Sequence, residues 1–211
     1  IASAIFGLNP LLEGEMLLHG EAYNPKSPAD AISKGIFMCP KDRSTNAVIS
    51  DFDITNNMVL RSGSAHWFHF KIKNLERKSR VSISELGVVC QSELDLVTTL
   101  SGGNQQKVMI GRWLSEKSEV LLLDEPFQGV DIKARRDIGS HIRQSSRDRA
   151  TLVFVAELDE AVEIADKIVV LHEGSFAGIF ENKETNIVDI LSLYSGKSNK
   201  ADTKVTESLN G

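Results

Sequence analysis

The chain has 211 residues, 41% hydrophobic and 25% charged, which suits a water-soluble globular fold with a sizeable core. A formal net charge of −5 and a pI near 5.6 lack the basic surplus of a nucleic-acid-binding protein, and no nucleic-acid partner is expected. No apolar run approaches the roughly 18 residues that span a bilayer, so any membrane work would pass through a partner.

In chain order, Ile1, Ala4, Ile5 and Leu8 repeat at helical spacing from the first residue. Residues Gly14 to Glu21 predict a strand and a hairpin turn. A short helix is expected from Ser27 to Lys34, with Pro28 near its start, where a missing N–H does no harm. Gly35 to Cys39 reads as a strand that ends in Pro40-Lys41-Asp42-Arg43. From Asp53 to Val97 the pattern is helical. Within it, His66 to Lys73 interleaves aromatic and basic residues, a composition that can stack bases but is better explained as an amphipathic face toward a core or a partner. His66, His69, His141 and His172 are scattered without an H-E-x-x-H spacing, which argues against zinc. Cys39 and Cys90 have no metal-like spacing and read as free thiols of a reducing compartment.

The chemistry concentrates between Leu100 and Asp131. Leu100-Ser101-Gly102-Gly103-Asn104-Gln105-Gln106-Lys107 sets a hydroxyl and two glycines ahead of a helical segment, Val108 to Leu114. Backbone N–H groups at a helix start, with no Cβ on the glycines to block approach, can grip a phosphate. Val120 to Leu123 is a four-residue apolar run, the mark of a strand buried on both faces, and it ends in Asp124-Glu125-Pro126. A buried parallel strand presents its C-terminal end to a ligand crevice, where one carboxylate can hold hydrated Mg²⁺ and the next can orient an attacking water. Phosphate grip, metal acid and base together predict nucleotide hydrolysis.

Beyond this region, Asp131 is placed to cap a helix whose Ile138 and Ile142 share a face. Arg135, Arg136 and Arg143 are expected on its solvated side. Thr151 to Ala156 predicts another buried strand, and Glu157-Leu158-Asp159-Glu160-Ala161 opens a helix. Lys167 to Ser175 reads as a strand and turn, with Phe176 to Phe180 as its hairpin partner. A last helix around Ile187 to Tyr194 and a polar, disordered tail from 197 to 211 complete the reading.

The order and spacing of LSGGNQQK, the strand ending Asp-Glu-Pro, and Gly129-Val130-Asp131 resemble the signature motif, Walker B and D-loop of the ABC ATPases. The form of these motifs is most similar to the second of two tandem ATP-binding domains in bacterial sugar importers of the ribose, xylose and galactose type. The resemblance implies an α/β fold: a P-loop, RecA-like, mostly parallel sheet with an antiparallel β part and an inserted helical subdomain at about 53–114, in one domain over 1–196. The Walker A pattern G-x-x-x-x-G-K-[ST] occurs nowhere in the 211 residues. In the resembled family, Ile1 to Gly7 corresponds to the helix just after that loop, so the chain is expected to be truncated before Ile1.

The same resemblance implies ATP and Mg²⁺ as ligands and assigns roles. Ser101, Gly102, Gly103 and Gln105 would complete, in trans, the ATP site of the preceding tandem domain. Asp124 would hold Mg²⁺, through water, and Glu125 would be the catalytic base. Asp131 would touch the opposite domain. Lys41 occupies the Q-loop position, where these second domains usually carry Glu, and a protonated lysine cannot ligate a metal. Ala156 occupies the switch-histidine position and has no polar atom for the γ-phosphate. Phe127-Gln128 stands where the family commonly has Thr-Arg.

The implied function is ATP-driven import of a monosaccharide from the cytoplasmic face of the bacterial inner membrane. The implied partners are the preceding ATPase domain, transmembrane permease subunits and, indirectly, a sugar-binding protein. The 211 residues alone are expected to be inactive. A second reading of a different class is a non-hydrolysing regulatory or interaction domain with a degenerate nucleotide site, which the losses at Lys41 and Ala156 would suit.

Overall fold

The structure is a computed structural model, and it describes residues 1–42, 48–59, 72–114, 118–182, 188 and 190–191. Arg43, nearly all of the run from His66 to Lys73, most of the expected last helix and the tail lie outside the described residues. The chain divides into two compact units, Ile1–Glu160 and Ala161–Gly211.

The first unit is built on three parallel strands, β3 (Ile36–Cys39), β4 (Val120–Asp124) and β5 (Ala150–Phe154), in the order β3-β4-β5. Cys39 pairs with Leu123, and Asp124 with Phe154, so the three C-terminal ends lie side by side. Leu121, Leu122 and Leu123 are wholly buried, as a central strand covered on both faces requires. Parallel neighbours need long crossovers. The β3-to-β4 crossover carries α3 (Ile54–Val59), α4 (Ile72–Glu85) and α5 (Gly102–Leu114); the β4-to-β5 crossover carries α6 (Ile132–Ser145).

Two cores form. One joins Ala2, Tyr23, Ala31, Ile36, Met38 and Leu122, and packs α1 (Ala2–Ile5), the hairpin β1 (Leu17–Leu18)–β2 (Glu21–Ala22) and α2 (Pro28–Ser33) around the sheet. The Tyr23 hydroxyl donates to the Ile5 carbonyl at 2.8 Å and fixes α1 to this layer. The hairpin turns through His19 (φ 53) and Gly20 (φ 79), two consecutive left-handed residues that match the twist of the strands. Ser27 caps α2 through the Asp30 N–H, with Pro28 at its first turn.

The second core joins Ile54, Met58, Leu86, Val88, Val97, Leu100 and Val108, and makes the helical part cohere. Helix α5 belongs to both halves of the unit. Every residue from Gln106 to Trp113 is buried, and α5 packs against α3, α4, α6 and β3. A helix covered all round is a central one.

The second unit contains the antiparallel hairpin β6 (Lys167–His172)–β7 (Ser175–Glu181), turned at Glu173 and Gly174 and closed at its open end by a 2.8 Å Lys167–Glu181 ion pair. Asn182 Nδ2 donates to the Val162 and Ala165 carbonyls, each at 2.8 Å. Helix α7 (Leu158–Ile164) precedes this hairpin in the chain. Strand β5 ends at Phe154 rather than at Ala156, so the position expected at the strand end lies on the bend that follows.

Candidate nucleotide site

The turn before α5 has the geometry of a capped helix start. The Ser101 carbonyl accepts from the Gln105 N–H at 2.9 Å, and its Oγ accepts from Asn104 Nδ2 at 3.0 Å. Ser101 and Gly102 are exposed, so the positive end of a 13-residue helix dipole opens to solvent beside a hydroxyl. Gln105 uses one of its two amide N–H groups within the turn. Its Nε2 donates to the Leu100 carbonyl at 3.0 Å and braces the turn from behind. Asn104 Oδ1 takes the Val89 N–H at 3.0 Å and ties the turn to residues 87–89.

Glycine at 103 answers a packing demand. A Cβ there would come within 3.3 Å of Ala134 Cβ, tighter than an ordinary contact, so the first turn of α5 lies against the first turn of α6. One turn further along, Lys107 is 5% exposed. Its Nζ donates to Asp137 Oδ2 at 2.7 Å and to the Gly87 carbonyl at 3.1 Å. Gln106, 1% exposed, donates through Nε2 to the Pro126 carbonyl at 2.7 Å.

The carboxylate turn begins at Asp124, the last residue of β4. Glu125 follows with φ 50, and its N–H donates to the Phe154 carbonyl at 2.9 Å. A non-glycine residue in the left-handed region carries strain, and such residues concentrate where a side chain must be aimed. The turn continues through Gln128 N–H to Glu125 C=O (3.1 Å) and Val130 N–H to Phe127 C=O (3.3 Å), with Phe127 buried and Gly129 at φ 67. Asp131 then caps α6, accepting the Ala134 N–H at 2.8 Å.

Lys41 is exposed just beyond β3, and Ala156 is exposed just beyond β5. The parallel register therefore brings the 40–42, 124–131 and 155–157 segments to one edge, each following a neighbouring strand. Helix α7 adds a residue that the motifs did not single out. Glu160 is buried, and burial, then the charge of Glu125, pushes its carboxyl above the ordinary value. Arg135, expected on a solvated face, is instead half-buried and pairs with Asp159 at 2.8 Å.

Among the described residues, no group of three or more histidine, cysteine, aspartate or glutamate side chains could hold a metal ion. Mg²⁺ that arrives with a nucleotide needs only one or two carboxylates beside phosphate oxygens and waters. Asp124 and Glu125 at the strand end can supply them.

Sequence reasoning missed Gln106, Lys107, Glu160 and the pair Asn57–Arg112. A signal existed for Gln106, which shares the helical stripe of Met109, Ile110 and Trp113. Arg112 gave none, for it follows a buried glycine and donates through Nε at 2.7 Å to the carbonyl of Asn57, which is itself wholly buried.

A family model described as ABC transporter matches residues 1–128. The galactose/methyl galactoside import ATP-binding protein MglA of Fusobacterium nucleatum is 34% identical over 197 residues, covering 92% of this chain and 39% of that protein. The arabinose import ATP-binding protein AraG of Yersinia pestis is 33% identical over 201 residues (92% and 38%). The ribose import ATP-binding protein RbsA of Lactococcus lactis subsp. cremoris is 33% identical over 199 residues (93% and 40%). The chain thus spans about two fifths of the length of these relatives. Among solved structures, the dimeric post-hydrolysis ATP-binding cassette MJ0796 bound to ADP and Pi superposes with a TM-score of 0.71 at 17% identity, over 86% of this chain and 78% of that one. A bacterial Atm1-family ABC exporter with ATP bound gives 0.69 at 22% identity (93% and 33%).

Proposed function

The chain belongs to the ABC transporter family, and on that footing we propose that it is an ATPase domain powering import of a monosaccharide, acting as the second of two tandem domains. The observation that carries this reading is the exposed Ser101–Gly102 turn at the start of α5, a helix start that opens to solvent beside a hydroxyl. A helix start that can grip a phosphate and that opens to solvent is free to meet a nucleotide held by another domain. Ser101, Gly102 and Gly103 donate to that γ-phosphate, and Gln105 braces the turn that carries them. The sugar-import names of the relatives support the cargo class.

At the domain's own site Asp124 would hold Mg²⁺ and Glu125 would orient the attacking water, with ATP as the substrate. Bound Mg²⁺ would neutralise developing phosphate charge. Lys41 gives no metal ligand and Ala156 no γ-phosphate contact, so turnover at this site is slow or absent. Asp131, at the foot of α6, meets the opposite domain and reports on its state. The partners are the neighbouring ATPase domain and membrane permease subunits, and through them a sugar-binding protein. The place of work is the cytoplasmic face of the bacterial inner membrane. Among the described residues no helix is long and apolar enough to cross a membrane.

ATP turnover of the complete importer, with Gly102→Asp and Glu125→Gln introduced separately, tests the reading. Loss with Gly102→Asp and near-normal turnover with Glu125→Gln is the expected pattern. Loss with both means this domain's own site also turns over. If neither change matters, the non-hydrolysing interaction domain is the correct reading.

A further inference from the structure

Two turns with separate tasks are joined by one buried side chain. Gln106 lies one helical turn from Gly102 and Gly103, and its Nε2 donates at 2.7 Å to the carbonyl of Pro126, the residue after Glu125. Its Oε1 is buried and meets no donor among the described residues. A buried acceptor without a donor costs free energy that methionine or leucine, of similar volume, would avoid, which offsets the cost of leaving the Pro126 carbonyl without its donor. Stability alone therefore gives a poor account of an amide here. Gly103 passes close enough to Ala134 that a Cβ there would come within 3.3 Å of it, so the same turn lies against the first turn of the helix that Asp131 caps.

We propose that Gln106 is a positioning residue: its hydrogen bond to Pro126 keeps the Ser101–Gly103 turn in register with the Asp124–Glu125 turn, so that the grip on a neighbouring domain's γ-phosphate follows the state of this domain's own site. This rests on the reading of Ser101–Gly103 as a grip used in trans. Gln106 touches no substrate and acts through the two turns it joins. Removing the donor leaves the fold standing but lets the phosphate turn shift relative to the carboxylates.

The test uses the complete importer, with Gln106→Met compared to wild type and to Gly102→Asp. Three quantities are read: ATP turnover, the orthovanadate concentration that halves it, and the temperature of thermal unfolding. Orthovanadate stands in for the phosphoryl group in transit, and its half-inhibitory concentration does not depend on how many molecules are folded. Gln106→Met is expected to keep the wild-type unfolding temperature while turnover falls, and the half-inhibitory concentration rises, by roughly five- to tenfold, the equivalent of one buried hydrogen bond. Gln106→Leu is read in the same way should the methionine variant fail to accumulate. If Gly102→Asp abolishes turnover but Gln106→Met behaves as wild type, the positioning role is wrong and the grip in trans stands. A fall in unfolding temperature and in turnover with unchanged orthovanadate sensitivity makes Gln106 purely structural and overturns the proposal. Unimpaired turnover in Gly102→Asp removes the reading and the proposal together.

Discussion

Lys107 Nζ lies 2.7 Å from Asp137 Oδ2, and this ion pair links the helix that begins at the phosphate turn to the helix that Asp131 caps. The lysine side chain is 6% exposed and the aspartate 37%, so the desolvation is one-sided. Lys107→Met should cost about 1–3 kcal/mol, less than a fully buried pair would, because water can still reach Asp137. The measurement is urea unfolding, in which Asp137→Asn should cost at least as much, since it leaves the buried ammonium with the Gly87 carbonyl alone. Equal stability of both variants to wild type would contradict the pairing.

Asn57 holds the helical part together from its centre. Its Nδ2 donates to the carbonyls of Ile49, Phe52 and Asp53, and its Oδ1 accepts from the Ile49 N–H at 2.9 Å and from Arg112 Nη2 at 3.3 Å. Asn57→Leu should cost about 3 kcal/mol or more, as several buried groups lose partners at once. Arg112→Lys keeps the charge but loses the fork and should cost about 1–2 kcal/mol. Thermal unfolding of the two single variants and the double variant should be non-additive.

Glu125 offers a test of strain. At φ 50, asparagine is better tolerated than glutamate, so Glu125→Asn should raise stability by about 0.5–1 kcal/mol while it removes the proposed base. A variant less stable than wild type in denaturant unfolding would mean that the glutamate side chain makes contacts that outweigh the strain.

The two thiols should differ in their response to reagents, and the buried one also ties stability to pH. Burial pushes the Cys39 thiol up to about 12, so the folded protein keeps a proton that the unfolded chain loses from about pH 9. The sign follows: the native state binds more protons between those values, and stability present below pH 9 is lost as pH rises toward 12. Cys39→Ala should flatten that decline. Alkylation of the native protein should reach half-buried Cys90 and spare Cys39 until the sheet unfolds.

Glu160 should show the acid counterpart. Its carboxyl is raised by burial and by Glu125, so its favourable contribution is present in acid and is lost as pH rises through the raised value. Glu160→Gln should therefore gain stability relative to wild type as pH increases from acid to neutral. Unfolding curves across that range check it, and a gap that does not change with pH would sink the coupling.

Local signals in the chain were sufficient for much of the fold. Apolar runs and capping residues placed the strand at Ile36–Cys39, the strand at Val120–Asp124 with its buried centre, the helix start at Ser27–Pro28, the Asp131 cap and the Lys167–Glu181 hairpin within a residue or two. Each depends on neighbours a few positions apart, which is the range over which backbone geometry repeats. The elements of the candidate site were legible for the same reason, since Ser101 to Gln105 and Asp124 to Asp131 are contiguous runs with their own turn chemistry.

By itself, then, the sequence determined the α/β class, the family and the two runs proposed to carry phosphate and carboxylate chemistry. Only the tertiary structure decided how those runs are held. Gln106 finds Pro126 20 residues away, Lys107 finds Asp137 30 away, and Arg112 finds Asn57 55 away. A buried polar group must find its partner wherever the packed chain brings one, and no local periodicity records that distance. Asparagine, lysine and arginine at such positions look like surface residues in the chain until the fold closes around them.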